Sequence, residues 1–274
     1  MSLTERQHPF DVATQLTRNS ETFHGHTSEK YNNMVGPFGG VTAATLLRAV
    51  IEHPERQGDP VSLTINYAAP VSDGPFTIKA NPARTNRSTQ HWFIELYQKE
   101  KIIITGTAVL ASRRHTWSST EALFPEVPSA ADSKRLSTDG MPSWAQNYSI
   151  KIIEGLPLQL SQTNTEETAD SVTIQWIQDE PRRSMDFLSL TAICDAFFPR
   201  IYVRRKEMVP IGTVSLTVYF HADTEMLTHQ GDKAVLAHAR ALQFQDGFFD
   251  QTGEIWSPEG KLLATTSQFV YYKA

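Results

Sequence analysis

Cysteine occurs once, at Cys194, so an intrachain disulfide is excluded, which fits a reducing compartment. Long apolar runs are also missing, and no stretch approaches the roughly 20 residues that a bilayer-spanning helix needs. There is no excess of positive charge. Lys and Arg number 25 against 30 Asp and Glu, and the basic residues are scattered, which argues against a nucleic-acid surface. Residues 1–10 have no apolar core of the signal-peptide kind, and residues 271–274 are not a peroxisomal Ser-Lys-Leu signal. The expected location is therefore cytoplasmic. No Gly-x-Ser-x-Gly elbow is present, which disfavours a serine hydrolase. A hydrophobic share of 40% with 20% charged residues is that of a globular chain able to bury a core, not a disordered one.

What the chain does have is an internal repeat. Ser62-Leu63-Thr64-Ile65-Asn66-Tyr67 answers Ser215-Leu216-Thr217-Val218-Tyr219-Phe220, 153 residues on. Lys101-Ile102-Ile103-Ile104-Thr105 answers Lys261-Leu262-Leu263-Ala264-Thr265 at an offset of 160, and Gly40-Val41-Thr42-Ala43-Ala44 answers Ser189-Leu190-Thr191-Ala192-Ile193 at 149. Three matches in one order, with offsets that drift as loops lengthen, indicate a duplicated domain. Repeats so long imply tandem domains rather than a solenoid.

Each half reads strand, helix, then several strands, an α+β pattern. The short β-rich runs 21–26 and 171–178 precede Ala- and Leu-rich helical segments at 39–51 and 186–198. Pro199 is expected to stop the second helix. Val61, Leu63, Ile65 and Tyr67 alternate with polar residues, as do Val214, Leu216, Val218 and Phe220, the period of half-buried strands. Further strands are expected at 76–81, 90–98, 102–111, 233–245 and 262–272. Residues 113–144, rich in Ser, Pro, Asp and Glu, read as a linker with a local fold at 118–124. The expected organisation is an N-terminal half over 1–115, a linker over 116–145 and a C-terminal half over 146–274. Pairing the halves would cover a sheet edge that each leaves open. A composite sheet of this kind still exposes a broad face, which leaves room for a homo-oligomer.

The second helical segment is apolar on nearly every side, and Asp195 is its one charged residue. A lone buried carboxylate must find hydrogen-bond donors or titrate. Its counterpart in the first half, 149 residues earlier, is Leu46. A structural anchor would explain Asp195; the contrast with Leu46 favours chemistry.

These residues resemble the acyl-CoA thioesterase II family, double hot-dog hydrolases in which each half is a central helix wrapped by a curved antiparallel sheet. Phe38-Gly39-Gly40 looks like that family's Phe-Gly-Gly, and Asp195 falls at its catalytic aspartate, with Pro199 ending the helix. Thr213, eight residues before His221, looks like the catalytic threonine, and Gln268 like the glutamine. Two departures concern substrate shape: Val41, where the family often has Gln, and a long loop at 246–256. The resemblance implies an acyl-CoA substrate, hydrolysis by carboxylate-activated water and no metal or other cofactor. Phe38, Gly39, Gly40, Phe187, Leu188, Phe197 and Phe198 are the expected substrate-binding residues, around a channel between the central helices.

The chemistry is reasonable. A thioester carbonyl is electrophilic enough for an oriented water to attack, and a desolvated carboxylate can take that water's proton. Thr and Gln can each hold a water, while free backbone N–H groups at a helix N-terminus can meet the oxyanion. Thr213 shares the parity of Ser215, Thr217, Tyr219 and His221, the polar face, so it reaches Asp195 only if its strand bends or starts after Gly212. Other constellations are weaker. An adjacent carboxylate disfavours a Cys194 thiolate. His24-Gly25-His26 lacks nearby carboxylates for a metal. The fifth position after Asp195, where a hot-dog hydratase has His, is Arg200. A biosynthetic cyclase or isomerase using the same carboxylate and an acyl-binding protein without turnover remain as alternatives. Some of the arginines are candidate ligands for coenzyme A phosphates.

Overall fold

The repeated strand motif pairs with itself. In the computed structural model, which describes residues 7–157, 167–205 and 208–273, β3 (Asp59–Tyr67) lies antiparallel to β9 (Ile211–Phe220). Their register sets Ser62 against Tyr219, Thr64 against Thr217 and Asn66 against Ser215. Thr64 and Thr217, which the repeat makes equivalent, meet hydroxyl to hydroxyl at 3.0 Å. The two halves are thus related by a local two-fold at that pair, the self-complementary contact expected of a fused dimer.

Around this junction runs one antiparallel sheet. The first half contributes β1 (Thr17–Asn19), β2 (Thr22–His26), β4 (Pro75–Thr85), β5 (Thr89–Gln98) and β6 (Lys101–Ala111), in the order β1-β2-β4-β5-β6-β3. The second continues β9-β13-β12-β10-β8-β7, from β7 (Tyr148–Glu154), β8 (Thr173–Asp179), β10 (Val235–Arg240), β12 (Phe248–Trp256) and β13 (Leu262–Tyr272). The short β11 (Phe244–Gln245) pairs only β12. Two central helices, α2 (Gly39–Ile51) and α3 (Phe187–Ile193), pack against one another beneath the sheet, with every residue of α3 buried. This is the expected double hot-dog arrangement. Three short helices, α1 (Pro9–Ala13), α4 (Arg200–Arg204) and α5 (Thr224–Gln230), were not anticipated from periodicity; each is too short to show one.

Two expectations need correction. The helix foreseen over 186–198 stops at Ile193, five residues early. Pro199 is not its terminator but the N-cap of α4, and it pushes the preceding backbone away from helical values. Side chains satisfy carbonyls of the stretch beyond it: Gln175 donates to Ala196 O at 2.7 Å, and the Arg200 guanidinium donates to Phe198 O. The loop foreseen at 246–256 is mostly the strand β12. Its inward positions are Phe249, Gln251, Gly253 and Ile255, all buried, and two of those four lack an apolar side chain, which hid the alternation. Gly253 is small for a reason: a Cβ there would lie 2.8 Å from the Thr266 methyl.

The 118–124 segment has no regular structure. Phe124 instead packs edge-on against Trp256, with centroids 5.8 Å apart. Farther along, Trp144 stacks on Phe38 at 4.5 Å, which carries the end of the connecting segment to the N-terminus of α2. Among the described residues no helix is long and apolar enough to cross a membrane.

Candidate active site

Because α3 ends at Ile193, Asp195 sits in a tight turn beyond it rather than on a helix face; the Phe197 N–H closes back on the Asp195 carbonyl at 2.8 Å. The turn aims its carboxylate at the N-terminus of α2, in the other half of the chain. The N-cap of α2, Phe38, has no capping side chain, and the Gly40 N–H instead helps to hold the Asp195 charge. A carboxylate placed at a helix N-terminus is favoured by the backbone dipoles. Gln268 Nε2 donates to Asp195 Oδ1 at 2.7 Å. Burial outweighs both donors and pushes the Asp195 carboxyl up to about 7.

The two glycines have separate jobs. A Cβ on Gly39 would come 2.8 Å from Asp195 Oδ2 and 3.4 Å from the Tyr67 hydroxyl, which donates to Gly39 O. A Cβ on Gly40 would come 2.5 Å from the Ala192 carbonyl oxygen of α3. Gly40→Ala should therefore force the helices apart and lower stability by about 1–3 kcal/mol, read as a reduced urea midpoint at unchanged slope.

Thr213 reaches the same place by a bulge. The β9–β13 register pairs Phe269 with Ser215 but Val270 with Thr213, so Val214 is the extra residue. Leu216 and Val218 point inward at even numbers; past the bulge Thr213 and Ile211 point inward at odd ones, and Val214 is turned outward. The strand does bend, and the parity objection to Thr213 is removed.

Asp195, Thr213 and Gln268 share the wall of one pocket of about 530 Å³ with Phe38, Gly39, Phe197 and Phe198. Gly40 stands just behind that wall. Phe187 and Leu188 do not line it: Phe187 packs edge-on against Phe220 at 5.6 Å, and Leu188 is buried in the core. The pocket lies at the α2 N-terminus and the turn after α3, not along the seam between the helices. Sequence reasoning missed Trp144, Tyr202 and Gln251, which also line it. Recognising β12 as a strand would have found Gln251, since it faces Gln268 in register.

The duplicated position in the first half is filled. The repeat offsets take Asp195 to Leu46, Gln268 to Ala108 and Thr213 to Pro60. Ala108 pairs with Leu63 as Gln268 pairs with Leu216, and Val61 is bulged as Val214 is. Trp92 faces Ala108 as Gln251 faces Gln268, and its indole is 1% exposed. Phe187 and Leu188 occupy the places of Phe38 and Gly39. Asp195, Thr213, Gln268 and Gln251 thus each have an apolar or aromatic counterpart.

Elsewhere, Cys194 is fully buried, and burial together with Asp195 pushes its thiol far up, which suits packing and not nucleophilic attack. Arg200 is buried and donates to Ser171 O, Thr173 Oγ1 and Ala239 O as well as Phe198 O; burial lowers it to about 9. His221 bonds Thr265 outside the pocket. His24 and His26 bond Thr22, Thr77 and the Thr27 carbonyl, and no group of three or more His, Cys, Asp or Glu among the described residues could hold a metal ion. Arg182, Arg183 and Arg204 are paired with carboxylates.

Residues 27–111 match the model for the acyl-CoA thioesterase N-terminal domain, and residues 122–272 match that for the C-terminal domain. Among solved structures, a hot-dog-fold protein of unknown function from Alicyclobacillus acidocaldarius is 48% identical, with a TM-score of 0.93 over 98% of this chain and 99% of that one. A provisional thioesterase II of Thermobifida fusca is 20% identical, with a TM-score of 0.83 over 97% and 98%. An acyl-CoA thioesterase II of Mycobacterium marinum is 14% identical, with a TM-score of 0.76 over 96% and 98%, a likeness of fold. No curated protein matches. With both of its halves matched in order, the chain belongs to the acyl-CoA thioesterase family.

Proposed function

We propose that the protein hydrolyses acyl-CoA to a free acid and coenzyme A, with Asp195 as the base that takes a proton from the attacking water. The observation that carries this reading is a pocket-facing carboxylate, the only one among the described residues, whose pKa is raised to about 7 and which is held by the Gln268 amide. A general base works best when its pKa lies near the working pH. Gln268 orients the carboxylate, and Thr213 offers a hydroxyl to the same water. As water adds to the carbonyl carbon, its proton passes to Asp195 and the carbonyl oxygen becomes an oxyanion. The Gly39 N–H, on the pocket wall at the helix start, is the donor proposed to meet that charge. Collapse of the tetrahedral intermediate expels the coenzyme A thiolate, and the proton on Asp195 goes to that sulfur. The acyl chain lies against Phe197, Phe198 and Val270, all lining the pocket.

Thiol release over short, medium and long acyl-CoAs, with product analysis, tests the reading. Hydrolysis yields thiol and acid, isomerisation yields a rearranged product without thiol, and a binder yields neither. The base must be ionised to act, so kcat/KM for the best substrate should rise with pH and level off above about 7, following the free enzyme's Asp195. A profile flat from about pH 5.5 to about pH 8.5 would remove Asp195 as the base.

A further inference from the structure

Gln251 is a polar side chain that the proposed hydrolysis leaves unused. It is 3% exposed, lines the pocket and faces Gln268 across β12 and β13. Several other polar groups of the wall are engaged: Gln268 Nε2 on Asp195, the Tyr202 hydroxyl on Val209 O, and Asn33 Oδ1 by the Met34 N–H. Thr213 is assigned to the water. Among the described residues the Gln251 amide has no hydrogen-bond partner at all. A buried amide with both donor and acceptor idle is costly against an apolar ligand and is satisfied by a polar one.

Depth says which part of the substrate it meets. Exposed Met34 and Met208 mark the mouth of the pocket, whereas Gln251 lies inside, beside Phe249 at 1% exposure. Coenzyme A is bulky and charged and stays toward the mouth, so the interior receives the acyl group. Adjacent strands are about 4.8 Å apart, so Gln251 stands one strand beyond the Gln268–Asp195 pair. A group that it contacts is a few bonds from the reacting carbonyl. The filled counterpart supports the contrast: there the matching residue is Trp92, which occupies the space instead of offering an amide to it.

Resting on the hydrolase reading, we infer that Gln251 selects acyl groups that carry a hydroxyl, or a similar hydrogen-bonding group, a few bonds from the thioester carbonyl. The test uses pairs that exchange hydroxyl for methyl at constant shape: 3-hydroxybutyryl-CoA with 3-methylbutyryl-CoA, and 4-hydroxybutyryl-CoA with pentanoyl-CoA. In the wild-type protein kcat/KM should favour the hydroxyl member of at least one pair by about tenfold or more, because a site built to bond a hydroxyl rejects its absence strongly. Gln251→Met, of similar length and without the amide, should bring that ratio to within about twofold of one. Wild-type ratios near one in both pairs would overturn the inference, as would a preference that survives in Gln251→Met. Equal slowing of both members of each pair would also overturn it, because the amide would then serve the pantetheine arm. Should the variant fail to fold, the wild-type ratios alone decide. Should no substrate release thiol, the hydrolase reading falls separately, and calorimetric dissociation constants for the same four compounds, with the wild-type protein and Gln251→Met, still decide what Gln251 selects.

Discussion

Replacing Asp195 with asparagine should lower turnover by about 10²- to 10⁴-fold while leaving a folded protein. The amide keeps the shape and can still accept the Gln268 bond, but it cannot take a proton. The same substitution should change the pH dependence of stability in a definite direction. The folded-state pKa of about 7 lies above the ordinary carboxyl value of 3.8, because burial opposes the charge. The folded protein therefore holds this proton more tightly than the unfolded chain. Stability from that proton is fully present below the unfolded pKa and is lost as pH rises through about 7. Asparagine does not titrate, so the variant should gain on the wild type as pH rises, with the largest gap above about pH 7. Thr213→Ala and Gln268→Ala should each slow turnover less than Asp195→Asn does. Combined, they should fall short of additivity, because groups that act on one water fail together. Full activity in a folded Asp195→Asn protein, by thiol release with the thermal midpoint measured in parallel, would refute the mechanism.

Asp195 could be singled out from sequence because duplication supplies its own control: a carboxylate stands where the other copy has Leu46. The same comparison made β3 and β9 legible, and their pairing at Thr64 and Thr217 follows from two equivalent strands meeting edge to edge. The first central helix spans Gly39–Ile51 as its Ala- and Leu-rich run implies, and the last strand spans Leu262–Tyr272. What stayed hidden depends on tertiary contacts. The helix ends at Ile193, and the stretch beyond it is held by Gln175 and Arg200, distant or downstream in sequence, through the Ala196 and Phe198 carbonyls. The inward turn of Thr213 depends on one bulged residue, Val214, and no periodicity announces a bulge. Gln251 and Gly253 broke the alternation of β12 because those inward positions face a pocket and a crowded Phe197 ring rather than an ordinary core. The places where pattern reading failed are thus largely the places where the fold makes room for a ligand.

Leu46→Asp should be among the most destabilising single changes available to this chain, costing about 3–5 kcal/mol, the penalty of a buried charge without a partner. At Asp195 a carboxylate is tolerated because three things meet there: the Gln268 amide, the uncapped N-terminus of α2 and the open side of the pocket. Leu46 has none of these. It is fully buried, and the residues in the matching places are Ala108, Pro60, Leu188 and Trp92, whose indole N–H is already given to Gln90 Oε1. At the N-terminus of α3, the Ser189 N–H, which would correspond to that of Gly40 on α2, is already taken by Asp186, whose carboxylate accepts it at 2.8 Å. A second carboxylate would find that N–H taken and, at a fully buried position, no route to water. Leu46→Ala supplies the milder comparison: the cavity should cost about 2–5 kcal/mol and leave turnover per folded molecule unchanged. Urea titrations of both variants check the pair, because a whole-domain stability of roughly 5–15 kcal/mol leaves little margin after the larger loss. If Leu46→Asp unfolded at the wild-type urea concentration, the first-half counterpart would have to hold donors or water that its packing denies it. The view that duplication left one working carboxylate and one sealed pocket would then fail.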